Sequence, residues 1–180
     1  MKQMRNAASS IPTASKLNDF FEEQLGEIYW AEKKLAKVLP KLEKAATASE
    51  LKECFHKHAE QTHNHVTRLE NIFEQMGKKS HATKCPAMAG ITEEESDIID
   101  DTQEGSSHRD AALIMTAQKA EHYEIATYGG LKELAKTMGY DDIAEILNET
   151  LNEEKETDKK LTRVAEMEIN HQASLEPSTV

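Results

Sequence analysis

The stretch Ala117 to Leu131, AQKAEHYEIATYGGL, constrains this chain more than any other. Apolar residues recur around it at helical spacing: Ile114, Ala117, Tyr128, Leu131 and Leu134. Where two more core residues belong, the sequence has Glu121 and Glu124. An ionised carboxylate on a buried seam costs several kcal/mol unless it is paired or binds a cation. Two of them at i and i+3 also repel each other. A cation held between them resolves both problems, provided that other helices bring matching ligands.

The other helical seams are interrupted at a similar depth. The first helix is expected from about Ser15 to Ala46, with Phe21, Leu25, Ile28, Leu35, Leu39 and Leu42 on one stripe and Glu32 in its gap. Pro40 inside that pattern predicts a kink or a local loosening. The second helix is expected to begin at a capping box, Thr47 with Glu50, and to run to about Met76, where Gly77 stops it. Its stripe reads Leu51, Phe55, His58, Thr62, His65 or Val66, Leu69, Ile72 and Met76. The same segment carries an E-x-x-H pair, Glu60 with His63, about a third of a turn or more off that stripe at 100° per residue. Both His58/His65 and Glu60/His63 therefore stand as candidates on this helix.

Residues 77–107 form a long connection with a short amphipathic helix expected from a second capping box, Thr92 with Glu95. A connection of this length lets the helices on either side of it run parallel. The third long helix is expected from about Ser107 to Met138, and its Gly129-Gly130 pair suggests close helix approach or a kink. The fourth starts at Asp141 or Asp142 and runs to about Asn170, and Glu154 and Asp158 interrupt its stripe. Glu149, Glu153, Glu156 and the run Glu93–Glu95 read as solvated. One glutamate at a helical core position needs only a packed stem and a wet head. Four helices interrupted at one level are harder to explain without a ligand.

Composition narrows the classes. Aromatic residues make up 5% and charged residues 31%, and the 180 residues suffice for one all-α domain with a sizeable core. Net charge is −11, so neither nucleic acid nor an anionic membrane is an expected partner. The two cysteines, Cys54 and Cys85, have no metal-type spacing and read as reduced thiols of a cytoplasmic protein. No apolar run reaches the length of a membrane span. Residues 1–14 read as a flexible arm, 15–170 as the folded domain and 171–180 as a flexible tail.

Inward carboxylates and histidines at the middle of a helical bundle are the ligand set of two-metal carboxylate proteins. Oxygen-rich ligation with imidazole suits iron or manganese. The metal candidates are Glu32, His58, Glu60, His63, Glu121, Glu124, Glu154 and Asp158.

Several stretches also resemble the YciE/YciF family of bacterial stress-associated proteins. They are IYWAEKKLAKVLPKL, HKHAEQTHNHVTRLENIFEQMG, KCPAMAGI, RDAALIMTAQKAEHYEIATYGGLKELAKTMGY and LNETLNEEKETDKKLT, within about residues 17–165. The resemblance implies a ferritin-like four-helix bundle with a long crossover, a tendency to form homodimers, and a di-metal centre of two iron or manganese ions per chain. By the rubrerythrin-like pattern Glu32 matches the first-helix glutamate, and Glu121 and Glu124 match the E-x-x-E of the third. Glu154 matches the first ligand of the fourth-helix E-x-x-H. The histidine of that motif is Thr157 here, with Asp158 the nearest substitute. Two functions stay open: a di-metal oxidoreductase acting on peroxide or O2, and a non-catalytic helical dimer that binds other stress proteins around a vestigial site.

Overall fold

The computed structural model describes residues 15–178, so the expected arm at 1–14 lies outside the described residues. The fold is all-helical. Four long helices carry it: α1 (Lys16–Ala45), α2 (Ser49–Gln75), α4 (Ser107–Thr137) and α5 (Asp141–Val164). The connection between α2 and α4 holds α3 (Pro86–Asp101), and α5 passes through a π-helical turn (Ala165–Ile169) into the short α6 (Asn170–Leu175). The chain is thus helical past Asn170, into the segment expected as a tail. No helix is long and apolar enough to cross a membrane among the described residues.

Each long helix packs on two others. α1 packs on α2 and α4, and α5 packs on α4 and α2. The end of α1 meets the start of α4, where Asp110 binds the backbone of Thr47 and Ala48. The start of α1 meets the end of α4, where Tyr140 donates to Asn18. α1 is therefore antiparallel to α4 and, as half of a tight hairpin, to α2. It follows that α2 and α4 run parallel, as the long connection allows. Phe21, Leu25, Ile28 and Leu35 of α1 bury into this interior with Leu51, Phe55, Leu69 and Ile72 of α2 and Leu147 and Leu161 of α5.

Several local expectations change in the folded chain. α1 stays one element through the exposed Pro40. The capping box at Thr47 does not form. The backbone N–H groups of Thr47 and Ala48 donate instead to Asp110 Oδ1 and Oδ2 at 2.8 and 2.7 Å. One carboxylate from a distant helix thus satisfies two orphan donors at the start of α2. Asp110→Ala is expected to cost about 1–2 kcal/mol, read as a lower urea midpoint with an unchanged m-value. Thr92 caps nothing: it lies inside α3 and donates to the carbonyl of Met88 at 3.0 Å. The start of α3 is capped by Cys85, whose Sγ accepts from the Met88 N–H at 3.4 Å.

Gly77 has φ 68°, as the stop of α2 requires, and Lys78 N–H closes back on Phe73 O at 2.9 Å. Gly26 has a different reason. A Cβ there would sit 2.9 Å from Thr83 Oγ1, because the loop before α3 lies directly on α1 and Thr83 N–H donates to Gly26 O. The Gly129-Gly130 pair makes no such approach, since a Cβ at either position meets nothing within 4 Å.

Candidate metal centre

The site is built from one face of each long helix. α1 contributes Glu32, between the buried Ile28 and Leu35. α2 contributes His58, Thr62 and His65, at i, i+4 and i+7, a spacing that keeps them on one face. α4 contributes Glu121, Glu124 and Tyr128, and α5 contributes Glu154. None of these residues is more than 3% exposed. The apolar stripes above and below bury each helix face, and the carboxylates and imidazoles are carried inside with it.

There they meet in two groups. His58, Glu121, Glu124 and Glu154 each offer an atom within 4.8 Å of the others, and so do Glu32, His65 and Glu154. Glu154 belongs to both. His58 Nε2 lies 3.2 Å from Glu121 Oε1, and His58 Nδ1 lies 3.9 Å from Glu154 Oε2. His65 Nδ1 lies 2.9 Å from Glu154 Oε1 and 3.4 Å from Glu32 Oε1. Tyr128 donates its hydroxyl to Glu32 Oε1 at 2.5 Å. The other ring nitrogen of His65, Nε2, is 2.8 Å from Glu153 Oε2, and Arg68 binds that carboxylate in turn. This outer chain fixes the ring so that Nδ1 faces the cluster.

Of the eight residues singled out in the sequence, the structure brings together Glu32, His58, Glu121, Glu124 and Glu154. It leaves out Glu60, His63 and Asp158. Glu60 is 72% exposed and near His56, and exposed His63 bonds the Ala59 carbonyl. Asp158 accepts from Gln118 at 3.0 Å. The E-x-x-H text of α2 sits off the apolar stripe, and burial goes to the stripe, so His58 and His65 turn inward. Two glutamates read as solvated are otherwise placed. Glu153 supports His65, and Glu95 is 1% exposed on α3. Tyr128 lies on the α4 stripe, so its inward position is legible from spacing, whereas local spacing gives no signal for Arg68.

Electrostatics set the protons. Burial, reinforced by the charge of Glu154, drives Glu121 and Glu124 well above the usual carboxylate range. Burial also raises Glu32, with His65 opposing it. Burial resists ionisation of Glu154 too, but His65 and His58 beside it outweigh that, and its pKa falls. For His65, burial works against the cation, yet Glu32 and Glu154 push it up to about 11. Burial lowers His58. The cluster therefore holds several protons close together, where one or more cations would satisfy the same oxygens.

The donor set fits such cations. Glu32 Oε2, Glu121 Oε2, His58 Nδ1 and both carboxylate oxygens of Glu124 are buried without a hydrogen-bond partner. Buried polar atoms are nearly always satisfied, so this many orphans at one place ask for a ligand. Carboxylates with two imidazoles are a donor set able to hold a metal ion.

Comparison with known proteins agrees with this architecture. A family model described as a domain of unknown function, DUF892, matches residues 16–174. Protein YciF of Escherichia coli (strain K12) is 44% identical over 158 residues, covering 87% of this chain and 95% of that protein. The crystal structure of the E. coli stress protein YciF aligns with a TM-score of 0.81 at 40% identity, over 91% of this chain and 100% of that one. YcfI of Rhodopseudomonas palustris, for which a structural role is suggested, aligns at 0.79 with 36% identity, over 82% and 94%. A Xanthomonas campestris protein at 19% identity and TM-score 0.70, over 89% and 97%, shares the fold alone. This chain is a member of the DUF892 family and a relative of the stress protein YciF.

Proposed function

We propose that this chain is a ferritin-like four-helix bundle that holds two iron or manganese ions in its interior and serves a stress response. The observation that carries the reading is Glu154, a fully buried carboxylate shared by two donor groups, with His65 Nδ1 2.9 Å from one oxygen and His58 Nδ1 3.9 Å from the other. When bound, such a pair of ions supplies electron-transfer chemistry towards peroxide or O2. The chain's own residues do the rest. Glu154 ties the two positions together, and Tyr128 orients Glu32 by its hydroxyl. Glu153, held by Arg68, aims His65. Burial of the whole set keeps bulk water from competing for the donors.

The free thiols of Cys54 and Cys85 support a reducing compartment, in keeping with a cytoplasmic protein. The exposed Met115, Met167 and Leu175 are apolar surface of the kind a homodimer covers. A second reading has a specific observation behind it. YcfI is taken for a structural protein, and Thr157 stands where the ferritin-like pattern has a histidine. On that reading the bundle is a scaffold for other stress proteins and the cluster is vestigial.

Elemental analysis of protein purified without chelator separates the two. About two iron or manganese ions per chain are expected. No stoichiometric metal, with melting unchanged on adding Fe(II) or Mn(II), overturns the first reading in favour of the scaffold.

A further inference from the structure

A second polar feature lies one helical turn from the cluster. Between α2 and α5 a cleft of about 160 Å³ is lined by Cys54, Gln61 and Thr157 together with three cations, Lys57, Lys160 and Arg163. Cys54 precedes His58 by one turn on α2, and Thr157 follows Glu154 by one turn on α5, so the cleft floor adjoins the buried donors.

The cleft gathers positive charge on an acidic molecule. The chain has 33 acidic residues against 22 lysines and arginines, and its surface as a whole repels anions. Lys78, Lys119, Lys132, Lys136, Lys159 and Arg68 all sit in ion pairs. Lys57, Lys160 and Arg163 belong to the larger share of described lysines and arginines outside such pairs, and all three converge on one small cavity. The one acid on the lining, Glu156, is paired with Lys159 at 2.9 Å. Around the Cys54 thiol, Lys160 and Lys57 each act more strongly than Glu53 does. The Gln61 side chain adds an amide donor. The volume suits a tetrahedral anion with a few waters at about 30 Å³ each, and falls short of the roughly 300 Å³ at which organic-ligand pockets begin.

We propose that the cleft between α2 and α5 binds a small inorganic oxyanion of the charge and size of phosphate, held by Lys57, Lys160 and Arg163 beside the buried carboxylate–histidine cluster. The binding needs no metal, so its test is independent of the di-metal reading.

The experiment is a calorimetric titration of the metal-free full chain with inorganic phosphate, at an ionic strength held constant with chloride. Three proteins are compared: the natural chain, Lys57→Gln/Lys160→Gln, and Lys132→Gln/Lys136→Gln as a control on another face. Saturable binding of one phosphate per chain is expected, about tenfold weaker in the cleft variant and unchanged in the control. Lys57 and Lys136 are exposed and Lys132 and Lys160 half-buried, and a melting curve for each variant verifies the fold. Binding that does not saturate overturns the proposal. So does binding that the two double variants weaken equally, which would mean diffuse attraction to surface lysines.

Discussion

Glu154→Ala is expected to remove both metal ions, whereas Glu121→Ala removes one. Glu154 is the only residue common to the two donor groups among the described residues, with one oxygen 2.9 Å from His65 and the other 3.9 Å from His58. Its loss leaves Glu32 with His65 on one side and His58 with Glu121 and Glu124 on the other, and nothing to join them. Glu121→Ala spares the Glu32, His65 and Glu154 group. Elemental analysis should fall from about two ions per chain to none in the first variant and to about one in the second. The stability readout follows by mass action. A ligand at a thousand times its Kd stabilises the native state by about 4 kcal/mol, which for a domain of this size is about 10 °C in Tm. That metal-dependent rise should vanish in Glu154→Ala. Glu154→Gln, nearly the same shape, serves as the second variant should the alanine form fail to fold. Metal content equal to that of the natural chain in the glutamine variant would remove Glu154 from the site.

The second large effect has the opposite sign. Glu124→Leu is expected to stabilise the metal-free protein while weakening its uptake of metal. Glu124 is fully buried, and neither of its oxygens has a partner. Such a group carries its desolvation cost with nothing to offset it, and an apolar side chain of similar size relieves about 2 kcal/mol, or about 5 °C in Tm. The pH dependence checks the cause. Glu121 and Glu124 have native pKa values well above the ordinary 4.5. As pH rises past 4.5 the unfolded chain releases those protons and the native chain does not, so stability falls until the native values are passed. His65, raised from 6.5 to about 11, acts in the same direction. Its contribution is full below 6.5 and is lost as pH climbs towards about 11. Glu154, lowered, acts oppositely: its contribution is present above 4.5 and is lost as pH falls through its native value.

The metal-free natural chain should therefore melt higher on the acid side of neutrality than on the alkaline side, and the Glu124→Leu variant should show a flatter profile. Metal has to displace the same protons, so loading should acidify a weakly buffered solution and tighten with pH. A Glu124→Leu protein that melts lower than the natural chain, with an unchanged pH profile, would mean that Glu124 is ionised and satisfied in the native state.

Much of this was legible in the chain. The seam of α4 breaks at Glu121 and Glu124 and the seam of α5 at Glu154, and helical periodicity alone makes those positions inward. On α2 the sequence left His58/His65 and Glu60/His63 both open, and the folded helix buries the former pair. A four-residue motif says which side chains share a face, whereas the apolar stripe says which face is buried, and only the buried face meets the other helices. Asp158 failed for the same reason: it follows the Thr157 position by one residue, about 100° round the helix, and reaches Gln118 instead of the cluster.

What the sequence by itself determined was the helical class, the span of the long helices and the presence of carboxylates on buried seams. These depend on residues a few positions apart, whose spacing fixes their geometry. The tertiary structure decided everything that joins distant residues. Asp110 starts α2 from a helix more than sixty residues away in the chain. Arg68 and Glu153 aim His65 across two helices, and Tyr128 holds Glu32 across two others. Glu154 belongs to two donor groups only because α1, α2 and α4 converge on it. Local spacing cannot encode such contacts, because they are set by how the helices pack, and the packing is the joint result of every buried face at once.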